Sequence, residues 1–154
     1  MADLYASSFQ QDTFPTAFLP AGTGPNRICA IAGRYAVVAA AVTTNDKLHM
    51  AQLPSDVRIL FSSTIYFDAL GAGAADVDIG DDENPDGLTD AEDMTNAGSG
   101  SIIQSVDLPN RGKMLWEMLG YSADPGGLID IYATFKGDPA AAGDIYFEFF
   151  YLHP

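Results

Sequence analysis

Apolar and polar positions alternate with a period of two along most of this chain. From Asp56 to Leu70 the odd positions read Val57, Ile59, Phe61, Ser63, Ile65, Phe67 and Ala69, while the even positions are mixed. One apolar face opposite a mixed one predicts a half-buried strand, with a bend at Ser62-Ser63. Asp76-Val77-Asp78-Ile79 repeats the alternation. Farther on, Ile129, Ile131, Ala133 and Phe135 alternate with Asp130, Tyr132, Thr134 and Lys136. Ile145, Phe147, Phe149 and Tyr151 then alternate with Tyr146, Glu148, Phe150 and Leu152. The breaker-rich stretch Gly137-Asp138-Pro139-Ala140-Ala141-Ala142-Gly143 lies between them, so 128–136 and 144–152 are predicted to form an antiparallel pair. The last strand is apolar on both faces, and Phe150 and Leu152 are expected to be covered.

Upstream, residues 26–32, 34–43 and 47–53 read as further strands. Gly33 punctuates the first two, Thr44-Asn45-Asp46 makes the next turn and Pro54 ends the third. One helix is predicted, with Asn110 as its N-cap, Met114, Leu115, Met118 and Leu119 on a shared face, and Gly120 in the left-handed position that closes it. Trp116 is expected near the rim of that face. Many short strands separated by turn signals specify an all-β fold, a two-sheet β-sandwich or jelly roll with one short helix. No internal repeat is present.

The opening 27 residues break this pattern. They carry Tyr5, Phe9, Phe14 and Phe18, prolines at 15, 20 and 25, and few charges. Prolines at those spacings prevent a continuous helix, and no period-two run is long enough for a strand. The segment is too apolar for a solvated tail and too broken to form a core by itself. Residues 1–27 are therefore read as an extended N-terminal arm lying over another surface, its own domain or a neighbour. Residues 28–154 form a single β-sandwich domain, and Tyr5, Phe9, Phe14 and Phe18 are the candidate interaction residues.

Charge narrows the partners. Seven basic against 21 acidic side chains give a net charge of −14. Phosphate backbones are held through Lys and Arg, so nucleic acid is disfavoured, as is an anionic membrane surface. The longest apolar run, Tyr35 to Val42, is far short of the ~20 residues of a membrane helix. The N-terminus lacks the basic and apolar regions of a secretory signal, which points to synthesis in a cytoplasm. Cys29, the one cysteine, reads as a small buried hydrophobe.

The motif-like segment is acidic. Nine of the 21 acids fall between Asp76 and Asp93. Within it, Asp82, Asn84, Asp86, Asp90 and Asp93 sit at the oxygen-ligand positions of a calcium loop, with Gly87 at the sixth place. Two features oppose calcium. Pro85 fixes φ near −65° where such loops commonly turn left-handed, and the flanks read as strand and loop, not as paired helices. The plainer reading is a solvated acidic loop closed by an Asn84-Pro85-Asp86-Gly87 turn. His49 and His153 have no nucleophile context, and three scattered His and Cys residues cannot make a zinc site. Acid pairs for glycoside hydrolysis are open to the abundant carboxylates, and Tyr66, Tyr132 and Trp116 could contact sugar. Core and interface packing is the commoner meaning of such aromatics. The reading is of a non-enzyme that needs no cofactor and holds no metal.

The order of pieces resembles the capsid decoration (cement) proteins of tailed bacteriophages. The likeness rests on Met1-Ala2-Asp3-Leu4-Tyr5, Asn26-Arg27-Ile28-Cys29-Ala30-Ile31-Ala32, Leu48-His49-Met50-Ala51-Gln52-Leu53-Pro54 and Val57-Arg58-Ile59-Leu60. The acidic Asn84-Pro85-Asp86-Gly87-Leu88 loop and a closing aromatic β-pair complete it. The resemblance implies a virion structural protein on the outer capsid surface that bridges major capsid protein subunits. Its partners would be the major capsid protein and itself, as a dimer or trimer. A carbohydrate- or receptor-binding virion module is the alternative.

Overall fold

The computed structural model describes residues 3–5 and 27–153. The strands are β1 (Asp3–Tyr5), β2 (Arg27–Val37), β3 (Lys47–Pro54), β4 (Arg58–Ile59), β5 (Thr64–Phe67), β6 (Val77–Gly80), β7 (Thr89–Glu92), β8 (Gly98–Ser101), β9 (Leu128–Phe135) and β10 (Gly143–His153). A 3₁₀ turn spans Ala72–Ala74 and helix α1 spans Leu115–Met118. One sheet runs β1-β3-β9-β6-β7. The other runs β2-β10-β5-β8, with β4 pairing the far end of β10. The all-β two-sheet sandwich expected from the alternation is what forms.

The core lies between the sheets. Ile145, Phe147, Phe149 and Tyr151 of β10 all point inward and are buried, meeting Leu48, Met50, Leu53, Ile79 and Phe135 of the facing sheet in one cluster. The Phe147 and Phe149 rings meet edge to face, with centroids 5.8 Å apart, the arrangement that aromatic quadrupoles favour. Cys29 is buried at the margin of this core, as expected.

Four local expectations are corrected. Strands β9 and β10 do not pair: β9 lies between β3 and β6, and β10 between β2 and β5. Residues 136–142 carry the chain from one sheet to the other, held by Lys136 N–H on the Asp76 carbonyl and Ala141 N–H on the Leu70 carbonyl. Gly33 does not divide two strands, because β2 runs through it with Gly33 opposite Phe147. A strand glycine here thins the ladder without ending it. Phe61 is not on the buried face: it is 63% exposed beside Arg111, because the chain turns at 60–63 before β5 begins. That bend is fixed by the Ser63 hydroxyl, which accepts from Phe150 N–H at 2.9 Å and donates to its carbonyl at 3.0 Å.

The fourth correction concerns helix α1. Asn110 closes a turn on Asp107 and does not cap the helix. Gly112, at φ 85°, turns the chain away before α1 starts. The N-cap is Met114, whose N–H donates to Glu117 Oε2 at 3.0 Å. The C-terminal expectation holds. Gly120 takes φ 84°, Gly120 N–H bonds the Glu117 carbonyl and Tyr121 N–H bonds that of Trp116, the two bonds of a Schellman closure. Trp116 is half-buried against the core.

Candidate interaction surfaces

The acidic segment folds into an irregular hairpin between β6 and β7. The Asn84-Pro85-Asp86-Gly87 turn forms, with Gly87 N–H on the Asn84 carbonyl at 3.0 Å. Asp81 anchors it: its Oδ1 accepts Asn84 N–H at 2.7 Å, and its other oxygen accepts the Tyr121 hydroxyl. Burial, and then the Asp81 carboxylate, push the Tyr121 phenol well above its ordinary range. A methyl group at Gly80 would collide with the Asn84 and Pro85 carbonyls, so the turn folds directly back onto the end of β6.

The five calcium-spaced residues do not converge. Asp82 pairs with Lys47, Asp90 lies in strand β7 with its N–H on Ser105 Oγ, and Asp93 accepts Thr95 N–H at 2.9 Å. Asp93 is held below the usual carboxylate range by the Thr95 side chain first and then by that N–H. Among the described residues no three His, Cys, Asp or Glu side chains are grouped to hold a metal. The carboxylates serve local structure instead. Asp78, nearly buried in β6, accepts Ala91 N–H at 3.1 Å and pairs with Lys136 Nζ at 2.7 Å. Glu92 accepts from Gln104 at 2.6 Å, and burial raises its carboxyl above the ordinary value.

A cleft of about 210 Å³ opens beside this hairpin, lined by Asp81, Asp82, Glu83, Asp130, Tyr121 and Tyr132 among others. Two of its lining residues are engaged by Lys47, whose Nζ lies 5.2 Å from the Tyr132 ring centre and pairs with Asp82. That π face and that carboxylate are therefore already served by a cation of the chain itself.

The outer face of the other sheet is chemically different. Ile28, Ala30, Ala32, Arg34 and Ala36 of β2 are exposed there, next to half-buried Leu152, Phe150 and Glu148 of β10. Phe150 and Leu152, expected to be covered, are half-buried. Tyr66 and Tyr146 continue the face with centroids 6.2 Å apart, and Arg34 pairs with Asp144 at 2.6 Å. Tyr66, Tyr132 and Trp116 do not form one platform, because they sit on opposite sheets and on α1. The histidines are also apart: His49 packs edge-on against Tyr132 at 4.4 Å, and His153 ends β10 on the other sheet. Sequence reasoning missed the importance of β2 and Tyr146. The signal was the run of alternate alanines at 30, 32 and 36, which read simply as strand.

Of the four arm residues, Tyr5 falls in β1, which adds parallel to β3 with Tyr5 opposite His49. Phe9, Phe14 and Phe18 lie outside the described residues.

No family model matches this chain, and no curated protein matches it. Two solved structures share its fold. A chain of the cyanophage Pam1 capsid asymmetric unit superposes with a TM-score of 0.59 at 16% identity, over 88% of this chain and 91% of that one. A chain of the capsid of Ralstonia phage GP4 superposes with a TM-score of 0.59 at 16% identity, over 99% of both. At that identity the likeness is one of architecture.

Proposed function

We propose that this protein is a virion structural protein that decorates and stabilises the outer surface of a phage capsid. The observation that carries the reading is the match of its sandwich to a chain of a phage capsid over 99% of both chains. Cement proteins act by binding the assembled shell and stabilising it through linkage, and many weak contacts suffice on a lattice. The net charge of −14 suits an outward position better than one against packaged nucleic acid. Residues 1–27, as an arm carrying Tyr5, Phe9, Phe14 and Phe18, supply apolar contact to the shell or to a neighbour. The role is non-enzymatic.

The test is co-sedimentation with undecorated shells of the major capsid protein and the melting temperature of those shells. The full chain is expected to bind and to raise the shell transition. Deleting residues 1–20 removes only the three-residue edge strand β1 from the described body, so the truncated protein should stay folded and no longer attach. Normal decoration by the truncated protein would discard the arm's role, and no binding by the full chain would discard the decoration reading. The alternative, a glycan-binding module, would rest on the exposed Tyr66–Tyr146 pair and predicts glycan binding that Tyr66→Ala removes.

A further inference from the structure

Among the described residues, the large apolar side chains that stand farthest into solvent are Leu108 at 77%, Ile28 at 66% and Phe61 at 63% exposed. The fold gathers all three at one end of the sheet that contains β2, β10 and β5. Ile28, Leu152 and Arg58 occupy one register row across β2, β10 and β4, about 10 Å wide at two strand spacings. Paired residues of an antiparallel ladder share a face, so Ile28 and exposed Arg58 flank half-buried Leu152 on the outside. Leu60 N–H then bonds the Phe150 carbonyl at 2.8 Å, and the turn closed by Ser63 N–H on the Leu60 carbonyl sets Phe61 outward.

Arg111 brings residues 106–113 against that ring. Its guanidinium lies 5.4 Å from the Phe61 ring centre, its Nε donates to the Val106 carbonyl at 2.7 Å, and its Nη2 donates to the Gln104 carbonyl at 3.0 Å. A guanidinium already ordered by two carbonyls and a ring loses little freedom on binding, and its fork keeps N–H donors for a carboxylate. The Asn110 and Arg111 amides both bond the Asp107 carbonyl, a turn with Leu108 at its crest.

Charge sets this end apart. The segments that build it, residues 28–33, 57–65, 106–113 and 149–153, hold Arg58, Arg111 and Lys113 against one acid, Asp107. Three basic against one acidic side chain is a local balance of +2 in a chain of net −14. Glu148, the next acid along β10, accepts the Tyr146 hydroxyl at 2.8 Å.

We infer that this end of the sheet docks an apolar, carboxylate-bearing segment of a protein partner. Phe61, Leu108 and Ile28 are its apolar contacts, and Arg58, Arg111 and Lys113 its charge contacts. The inference rests on the decoration reading and deepens it, since the partner surface it describes is that of the shell. Arginine and aromatic side chains are the usual anchors of protein interfaces. The apolar side chains among the cations favour a protein over a polyanion. A phosphate backbone offers charge after charge, and a chain of net −14 repels it, whereas a carboxylate set in apolar surface meets only the local positive balance within screening distance.

The test measures co-sedimentation of the full chain with undecorated shells at low and high salt. Arg58→Glu should weaken binding about tenfold at about 0.05 M NaCl and about threefold at about 0.5 M, where screening shortens the reach of the charge. Phe61→Ser should weaken it about tenfold at both, because apolar burial does not depend on screening. Both side chains are exposed, so both variants are expected to melt with the parent chain, and Leu108→Ser replaces Phe61→Ser if that one does not. Lys47→Glu, the same change of charge on the opposite sheet, should bind as the parent does. Carbodiimide coupling should join Lys113 to an acidic residue of the shell protein. If the parent chain attaches and Arg58→Glu and Phe61→Ser attach equally well, the inference falls and the decoration reading stands. If the parent chain does not attach, both fall. A dimer that Arg58→Glu dissolves, or Arg58-dependent binding to DNA or to phosphatidylserine vesicles, would also overturn the inference.

Discussion

Asp78 is the most informative single side chain for stability, because it ties three strands of one sheet together. Its Oδ1 accepts Ala91 N–H from β7 and its Oδ2 holds Lys136 just beyond β9, while it sits in β6 with a side chain 6% exposed. Replacing it with alanine removes a charge-assisted hydrogen bond, about 1.5–3 kcal/mol. The Ala91 amide, on an exposed residue, can turn to water, so its loss adds only about 0.5–1 kcal/mol. Asp78→Ala is therefore expected to cost about 2–4 kcal/mol, or roughly 4–16 °C in Tm for a chain of this size. Asp78→Asn keeps an acceptor for Ala91 and should cost about half as much.

The pairwise part is isolated by a cycle with Lys136→Met, measured by urea unfolding at pH 7. Lys136 alone leaves a nearly buried carboxylate without its cation, so the double variant should cost about 1–2 kcal/mol less than the sum of the singles. A pH series adds a second check. The Asp78 hydrogen bond, ahead of other causes, raises the Lys136 pKa above 10.5. Its stabilisation is then fully present below the unfolded value and is lost as pH climbs through the higher folded one. The gap between wild type and Lys136→Met should be flat from pH 7 to 9 and close above about pH 10.4. Additivity of the two single changes within about 0.3–0.5 kcal/mol would refute the pairing as an energetic link.

Three further outcomes follow from particular residues. Ala91 sits at φ 56° where two β7 residues oppose one of β6, so Ala91→Gly should stabilise by about 0.5–1 kcal/mol in thermal melts, a loss of stability counting against strain there. Glu92 has a carboxyl raised by burial, so its ionised form costs stability above the folded pKa and that cost fades as pH falls toward the unfolded value. Glu92→Gln should melt higher than wild type at pH 7, with the difference shrinking toward pH 4, and an unchanged difference across that range would contradict it. Phe147 is fully buried against Phe149, so Phe147→Ala should cost about 3–5 kcal/mol by urea unfolding, and a loss below 1 kcal/mol would mean that the core there is not packed as described.

Alternation told which side of each strand is buried, and it did so well where the strand was regular. Every odd position of β10 from Ile145 to Tyr151 is inside, as the pattern required. Period two says nothing about which strand lies alongside, and so β9 and β10 were joined by proximity in sequence although they belong to different sheets. Alternation also fails at bulges. In β3 the buried set passes from Leu48 and Met50 to Ala51 and Leu53, because an extra residue slips the register between His49 and Ala51. At the acidic hairpin the sequence showed the turn, through Pro85 and Gly87, but not the fate of the carboxylates. Their partners Lys47, Gln104, Tyr121 and Lys136 are brought in from elsewhere in the chain by the fold.

The same separation explains why charge composition alone could not locate an attachment face. A net charge of −14 describes the whole surface, yet nine of the 21 acids are gathered between Asp76 and Asp93. That hairpin and its cleft belong to the sheet that contains β6, β7 and β9. On the outer face of the other sheet, the carboxylates of Asp144 and Glu148 are engaged by Arg34 and by the Tyr146 hydroxyl, and the exposed positions between them are alanine, isoleucine and tyrosine. Desolvating this second face costs less, since few of its groups are charged and Arg34, Asp144 and Glu148 are already engaged, whereas covering the hairpin would strip water from several carboxylates at once. Any partner that buries substantial area should therefore settle on the β2–β10 side and leave the acidic hairpin in water. A charge reversal such as Lys47→Glu beside the cleft should then leave shell attachment unchanged, whereas Ile28→Asp on the exposed face of β2 should impair it.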